Sequence, residues 1–314
     1  MKGLSPCMVT QLGCQARQGM IMENITEKVN SVITKISPGG ESVIRFFNPL
    51  LIVVHLWKYR NLIGQLTWRE VVGRYKGSFV GLGWSFIQPL IMLCVYTYVF
   101  SVIFKARWGM DPDESKAVFA LALFMGLITF SFFSEMANSA PSLVLANANY
   151  VKKVVFPLEV LPLVRFLSGL INAAFSLVVL LVGILMVNHF IHWTVLLLPL
   201  VWLPMMMFSL GCGYFLASLG VFVRDVGATI GILTMMLFFL TPIFYPISAI
   251  PEQYRFFSKI NPIAIFVEDA RKVVLWGVMP DWPWFFGGLA FSLLVLIFGF
   301  VWFMKSKKAF ADVI

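Results

Sequence analysis

Two acidic sites and one basic cluster have the residue types and spacing that chemistry needs. Asp111-Pro112-Asp113 forms a DxD, the pattern with which some glycosyltransferases hold a metal and a nucleotide sugar. Glu135 lies in an apolar segment, where an ionisable side chain is a functional candidate by default. The basic cluster stands directly before a run without Asp, Glu, Lys or Arg, from Gly77 to Phe104, and consists of Arg69, Arg74 and Lys76.

Each of these features also has a structural interpretation. The DxD is expected on the outer side of a membrane, where nucleotide sugars are absent, so a solvated loop is the favoured interpretation. Glu135 is near the end of its segment, where it could reach the interface or pair with Arg165 or Lys76. The basic cluster is what the positive-inside effect places at the cytoplasmic end of a membrane span.

Several catalytic motifs are absent from the sequence. It contains no GxxxxGK[ST], the loop that cradles nucleotide phosphates, so we expect no nucleotide hydrolysis by this chain. The three histidines form no HExxH and no metal-ligand spacing, and the four cysteines form no CxxC. The sequence therefore predicts no catalytic residue, no metal and no cofactor of its own.

The composition is that of an integral membrane protein. Hydrophobic residues make up 60% of the chain and charged residues 12%, against about 25% charged residues in soluble domains. Continuous apolar runs indicate helices and not a β-barrel. The net charge of +9 does not indicate a nucleic-acid partner, because the basic residues cluster at the ends of the apolar runs.

The apolar runs predict an all-α fold with six membrane spans. Residues 1–45 form a polar extension whose composition is compatible with disorder. Within it, the run that begins at Met22 resembles a natural start of translation. Residues 46–76 form an amphipathic interface segment with Trp68, Val71, Val72 and Tyr75 on one face. Residues 77–304 form the transmembrane domain, with spans at about 79–103, 117–137, 165–187, 195–222, 228–245 and 284–303.

The segments between the spans complete this topology. Two short amphipathic helices, broken at Asn261-Pro262, are predicted between spans five and six. Residues 305–314 form a basic tail. An even number of spans puts both termini on one side, and the lysines and arginines assign that side to the cytoplasm.

Three blocks of the sequence resemble the membrane subunit of type-2 ABC exporters for polysaccharides, which carry O-antigens, capsular polysaccharides and teichoic acids on lipid carriers. The blocks are RYKGSFVGLGWSFIQPLIMLCVYTYVFS, NANYVKKVVFPLEVLPL and VFVRDVGATIGILTMMLFFLTPIFYPISAIPEQYRFFSKINP. They occur in the order of that family, and the resemblance covers about residues 56–310.

The resemblance implies a bacterial inner-membrane homodimer that works with two copies of a separate ATPase, which binds the ATP and magnesium. We add the hypothesis that Arg69, Arg74 and Lys76 attract the pyrophosphate of the lipid-linked polysaccharide, as basic interface residues attract anionic head groups, with the positive-inside effect as the favoured alternative. The resemblance implies that the polymer channel is lined by Trp84, Tyr96, Tyr98, Phe100, Phe239, Phe244 and Tyr245. It implies coupling to the ATPase through Asn147, Asn149, Tyr150, Lys152, Lys153, Arg224 and Asp225. It implies an outer gate around Pro246, Pro251, Tyr254, Phe257, Asn261 and Pro262.

Two other functions remain open from the sequence. One is an exporter of drugs or small lipids with the same permease fold. The other is a membrane enzyme acting on polyprenyl-linked sugars, for which Asp111/Asp113 and Glu268/Asp269 would be the acidic candidates. A secondary transporter is disfavoured, because the sequence has neither inverted repeats nor ionisable groups at the midplane.

Overall fold

The computed structural model describes residues 49–74, 76, 80–103, 108, 116–152 and 156–314. All of them belong to the unit Phe46–Ile314. This part of the chain is helical and contains no β-strand. The predicted polar extension, the DxD and Tyr75 lie outside the described residues.

Thirteen α-helices follow one another in the described part of the chain. They are α1 Pro49–Trp57, α2 Arg60–Arg74, α3 Trp84–Tyr96, α4 Lys116–Leu143, α5 Ala148–Lys152, α6 Val160–Asn188, α7 Leu198–Val201, α8 Leu203–Phe222, α9 Val226–Leu240, α10 Arg255–Ile260, α11 Pro262–Arg271, α12 Trp282–Ser306 and α13 Phe310–Val313. Helix α3 continues as a π-helix over Thr97–Ile103, and α11 continues as another over Lys272–Trp276.

Four helical stretches are long and apolar enough to cross a membrane: Ala117–Leu143, Val160–Asn188, Trp193–Phe222 and Trp282–Val313. Two shorter apolar helices, Trp84–Val99 and Val226–Leu240, fall within the first and fifth predicted spans. Each of the six apolar segments expected from the sequence therefore contains a described helix.

Helix α4 is the centre of the bundle. Its span is mostly buried, and it contacts α6, α8, α9, α11 and the π-helical end of α3. It also extends past Pro141, which the sequence placed in a separate surface segment. Pro141 lies in the last turn, where little of the helix depends on its missing N–H, and its backbone lies against Gly220 of α8.

Helices α8 and α12 make the most extensive contact of any pair among the described helices. A Cβ added to Gly299 would overlap the carbonyl oxygen of Gly211, and one added to Gly211 would lie 2.7 Å from Cα of Leu296. Glycines at a helix crossing let two backbones approach closely, which is how helices associate in lipid. This contact fixes the last span against the core.

Helix α2 packs along the start of α6. Its buried residues are Ile63, Thr67 and Val71, spaced by four, and Ile63 clusters with Val160 and Val164. The predicted apolar face of α2 included Trp68, but this side chain is 62% exposed. The reason is that α2 contacts α6 through a narrow row of residues, which leaves the large Trp68 ring on the outer face.

Candidate functional site

A cleft of about 600 Å³ opens among helices α3, α4, α6 and α9. Its volume is in the range of small-molecule sites. Apolar residues form part of the wall, but nine lining residues are polar: Ser85, Gln88, Ser131, Ser134, Glu135, Asn138, Asn172, Ser176 and Thr234. Polar side chains are costly to place against hydrocarbon, so this cleft is suited to water or to a polar ligand.

The wall between α4 and α9 is held by hydrogen bonds of Asn138. Its Nδ2 donates to the Ser134 carbonyl oxygen at 2.8 Å and lies 3.0 Å from Ser134 Oγ. Its Oδ1 accepts from Thr234 Oγ1 at 3.1 Å. The amide is thus oriented within the wall, and α9 is tied to α4 at this depth.

One end of the cleft meets a network of two arginines and two carboxylates. Glu135 Oε1 lies 2.7 Å from Arg74 Nη1 and 3.2 Å from Arg165 Nη2, as charge contacts without hydrogen-bond geometry. Arg165 Nη1 donates to Glu70 Oε1 at 2.8 Å. Each of the four side chains is between 22% and 28% exposed. The predicted pairing of Glu135 with Arg165 is confirmed, and the second partner is Arg74 and not Lys76.

Two serines complete this network. Arg74 Nη2 donates to Ser168 Oγ at 3.0 Å, and Arg165 Nε donates to Ser139 Oγ at 2.9 Å. The network therefore joins α2, α4 and α6.

The three basic residues expected to attract a pyrophosphate lie in different surroundings. Arg74 belongs to the network at the cleft. Arg69 Nη2 donates to the Tyr150 hydroxyl at 3.3 Å. Lys76 is exposed in the turn after α2. Of the three, Arg74 is the one with a described ion pair to a residue that lines the cleft, Glu135.

Part of the predicted aromatic lining comes together at the far end of the cleft. Tyr96 lines the cleft, and its ring centroid lies 6.3 Å from that of Phe244. Phe244 also packs on Phe239 at 6.3 Å and edge-on against Phe238 at 5.0 Å. Tyr245 donates to the Phe239 carbonyl oxygen at 3.1 Å. Phe238, from the same predicted span, also lines the cleft.

Three of the predicted lining residues are turned outward. Trp84, Tyr98 and Phe239 are 39%, 60% and 59% exposed, so they face the surroundings of this chain, although Phe239 also packs on Phe244. The side chain of Phe100 lies outside the described residues.

The predicted coupling residues lie at the same end of the bundle as the arginines. Tyr150 stacks on Phe156 with centroids 4.5 Å apart, and it accepts from Arg69. Asn147 Nδ2 donates to the Leu143 carbonyl oxygen at 2.9 Å. Asn149 is exposed, and so are Arg224 and Asp225 in the turn between α8 and α9. Lys153 and the side chain of Lys152 lie outside the described residues.

The predicted gate segment follows α9 at the opposite end. Asn261 caps α11 by accepting from Ile263 N at 3.0 Å, and it donates to Thr241 Oγ1 at 3.0 Å. Pro262 is the first residue of α11, where proline fits a helix start. Pro251 and Tyr254 are exposed, Pro246 is half-buried, and the side chain of Phe257 lies outside the described residues.

Arg271, at the end of α11, is the largest fully buried side chain of the described residues. Its guanidinium donates to three carbonyl oxygens, those of Ala122 at 2.8 Å, Pro242 at 2.6 Å and Ile243 at 2.8 Å. It also lies 4.2 Å from the centroid of Trp108. Burial lowers the pKa of Arg271 to about 10, with Glu268 opposing the shift, so the group remains charged at neutral pH.

The sequence offered a weak signal for Arg271. At helical spacing it shares a face with Val267 and Val274, both fully buried. A charged residue on an apolar stripe indicates a buried, hydrogen-bonded group.

A second buried ion cluster joins the two ends of the described chain. Glu159 is 2% exposed, and its carboxylate contacts His55 Nε2 at 2.9 Å and Lys307 Nζ at 2.8 Å. The Tyr214 hydroxyl donates to the Glu159 carbonyl oxygen at 2.9 Å. Burial alone would raise the pKa of Glu159, but the His55 hydrogen bond and the Lys307 charge outweigh it and lower the pKa to about 2.

The acidic residues considered for an enzyme are paired internally where they are described. Lys272 Nζ lies 3.4 Å from Asp269 Oδ1 and 2.7 Å from Asp281 Oδ2. Glu268 lies 3.5 Å from Arg271 Nη1. Within the described ranges, no three His, Cys, Asp or Glu residues are grouped so that they could hold a metal ion.

Comparison with known proteins gives a consistent result. Residues 61–275 match the family model described as ABC-2 type transporter. The chain is 28% identical to the O-antigen export system permease protein RfbA of Myxococcus xanthus, over 83% of this chain and 98% of that protein. It is 26% identical to the polysialic acid transport protein KpsM of Escherichia coli, over 77% and 92%. It is 22% identical to the capsule polysaccharide export inner-membrane protein CtrC of Neisseria meningitidis, over 79% and 92%.

Proposed function

Because the chain belongs to the ABC-2 type transporter family, we propose that it is the membrane subunit of an ATP-driven exporter that moves a lipid-linked polysaccharide out of the cytoplasm. Its relatives are permeases for O-antigen and capsular polysaccharide export. That favours a polysaccharide over a drug or a small lipid as the cargo.

The observation that carries this proposal is the polar cleft of about 600 Å³ between apolar helices. Amides and hydroxyls, such as those of Gln88 and Asn172, match the hydrogen-bonding groups of sugars. Tyr96 and Phe238 offer ring faces at one end, and at the other end the lining residue Glu135 contacts the guanidinium groups of Arg74 and Arg165. Sugar rings, hydroxyls and an anionic carrier are the matching groups of a lipid-linked glycan.

Six spans fit the helices best. Four long helices and the shorter α3 and α9 give an even number of crossings, with the π-helical turn extending α3 to Ile103. An even number requires both chain ends on one side. The contacts of one carboxylate, Glu159, with His55 near the start and Lys307 near the end support that requirement. The lysines and arginines of that end favour a cytoplasmic location for it.

A separate ATPase subunit would bind the ATP and magnesium, since this chain carries no phosphate-binding loop. We expect two ATPase copies to dock on α5 and on the Arg224-Asp225 turn. Movement of α5 would pass through the Tyr150–Arg69 contact into α2. From α2 it would reach the wall of the cleft through the Arg74 ion pair.

A second copy of this chain would close the cleft. The outward faces of α3 and α9 carry exposed apolar side chains, among them Leu90, Val95, Ile232 and Met235. Two such faces from a pair of protomers would form a conduit lined by α3 and α9, into which Trp84, Tyr98 and Phe239 would project. Helices α10 and α11 would then close its outer end.

The proposal is tested by leucine substitutions in the cleft, Gln88→Leu and Asn172→Leu, in a bacterial strain that lacks its own permease. We expect both variants to lower the surface polysaccharide while assembly with the ATPase and basal ATP hydrolysis are unchanged. Leu294→Ala, at a 66% exposed position of α12, is the control for membrane insertion. Normal surface polysaccharide in both cleft variants would refute the role of the cleft.

A further inference from the structure

Arg74 and Arg165 converge on a single oxygen of Glu135, at 2.7 Å and 3.2 Å. Arginine binds a carboxylate most strongly with two parallel hydrogen bonds. Neither arginine does so here. The other nitrogens of Arg74 and Arg165 donate to Ser168, Ser139 and Glu70.

The carboxylate of Glu135 is therefore held by one contact from each arginine, without hydrogen-bond geometry. Such contacts are individually weak in partly exposed surroundings. Each arginine, in contrast, has further partners in hydrogen-bond geometry: Ser168 for Arg74, and Ser139 and Glu70 for Arg165. This geometry makes Glu135 the exchangeable member of the network.

Glu135 is the residue through which the two arginines meet the cleft. Glu135 lines the cleft, and so does Gly169 of α6, which presents no side chain to it. A Cβ on Gly169 would lie 3.8 Å from Glu135 Oε2. The carboxylate thus has open space beside it and polar neighbours along α4, including Ser131 and Ser134.

We propose that Arg74 and Arg165 form a binding site for a diphosphate group, and that Glu135 is an internal anion that occupies the site and is displaced by the ligand. The group would be the head of the lipid carrier, so this inference rests on the proposed function. A diphosphate offers several anionic oxygens, which match the planar forks of two guanidinium groups.

The charge balance requires an exchange and not simple addition. Two arginines face two carboxylates, Glu70 and Glu135, so the network is neutral as it stands. Glu70 is bonded to Arg165 in good geometry and remains. A diphosphate can join only if Glu135 turns away into the polar cleft, which breaks the link from α2 to α4. Binding of the diphosphate would thereby change the contacts of α2.

Binding to the full chain in nanodiscs of neutral phosphatidylcholine tests the exchange. The probes are farnesyl pyrophosphate, farnesol and inorganic pyrophosphate. We expect Glu135→Gln to bind farnesyl pyrophosphate about tenfold more tightly than the wild type, because a competing charge is removed. Arg74→Gln and Arg165→Gln should bind it at least tenfold more weakly. Glu252→Gln, at an exposed position, should match the wild type.

Unchanged or weaker binding by Glu135→Gln would overturn the exchange, whether or not the arginine variants fold. Farnesol binding as tight as that of farnesyl pyrophosphate would overturn the diphosphate site. Inorganic pyrophosphate binding as tight would overturn the assignment to a lipid head group.

The outcome is separable from that of the proposed function. Lost export in the Gln88 and Asn172 variants, with unchanged affinity in Glu135→Gln, would reject the exchange alone. Tighter binding by Glu135→Gln, with normal export in the cleft variants, would keep the diphosphate site and reject the cleft as the path of the glycan.

Discussion

Arg271→Met should destabilise the protein by about 3 kcal/mol. Methionine fills a similar volume but donates no hydrogen bond. The carbonyl groups of Pro242 and Ile243, which follow the end of α9, would therefore stay buried and lose their hydrogen-bond donor. An unsatisfied buried acceptor costs about 1–3 kcal/mol. The Ala122 carbonyl lies within helix α4 and keeps its place in the helix ladder. Two acceptors thus give about 2–6 kcal/mol, offset in part because no charge has to be desolvated.

Thermal unfolding of the detergent-solubilised full chain measures this loss. For a chain of 314 residues, a loss of 3 kcal/mol corresponds to a fall in Tm of about 4–5 °C. The Tm of Arg271→Lys should lie between those of the wild type and Arg271→Met, because an ammonium keeps the charge but lacks the planar fork that reaches three oxygens.

Arg255 supplies a matched control. It also donates to two carbonyl oxygens, those of Ile250 at 2.9 Å and Ser248 at 3.1 Å, but its side chain is 37% exposed. Water can replace its hydrogen bonds, so Arg255→Met should cost less than about 1 kcal/mol. Equal Tm shifts for Arg255→Met and Arg271→Met would refute the reasoning that burial sets the cost.

Three further predictions concern single contacts. Gly299→Ala should cost about 2 kcal/mol or more, because its Cβ would overlap the Gly211 carbonyl oxygen. Gly287→Ala, on the same helix with nothing within 4 Å, should leave the Tm unchanged or raise it. Asn261→Ala should cost about 1–2 kcal/mol through loss of the α11 cap, measured as a lower Tm. The Tm advantage of the wild type over Glu159→Gln should be constant above about pH 4.5. It should shrink as the pH falls towards 2, because the pKa of Glu159 in the folded protein, about 2, lies below its ordinary value of 4.5; a constant gap down to pH 2 would contradict this.

The helices could be predicted from the sequence because apolar composition alone determines which segments can cross a membrane. Their ends were less certain. Pro141 suggested an interruption, but Gly220 lets the α4 backbone approach α8 there, and the helix continues to Leu143. Packing between helices decided this boundary, and packing is not encoded in a local pattern.

The candidate site was predictable where charge made a residue conspicuous. Glu135 and Arg165 stood out because ionisable groups are rare in apolar segments. Asn138, Asn172 and Thr234 did not, since uncharged polar residues occur in many spans and only the folded bundle brings four helices together. The burial of Arg271, in one of the two predicted amphipathic helices, could not be foreseen, because its three carbonyl partners are 28, 29 and 149 residues away.

The Glu159 cluster has a consequence for the order in which the chain is made. His55 and Glu159 are 104 residues apart, whereas Lys307 follows Glu159 by 148 residues. During synthesis the carboxylate therefore meets the imidazole first and receives its ammonium partner only when translation is nearly complete. Until then the Glu159 carboxylate that contacts α1 lacks its Lys307 partner. We infer that a chain ending at Ser306 would expose α1 to protease more readily than the full chain, and equal cleavage rates of α1 would contradict this.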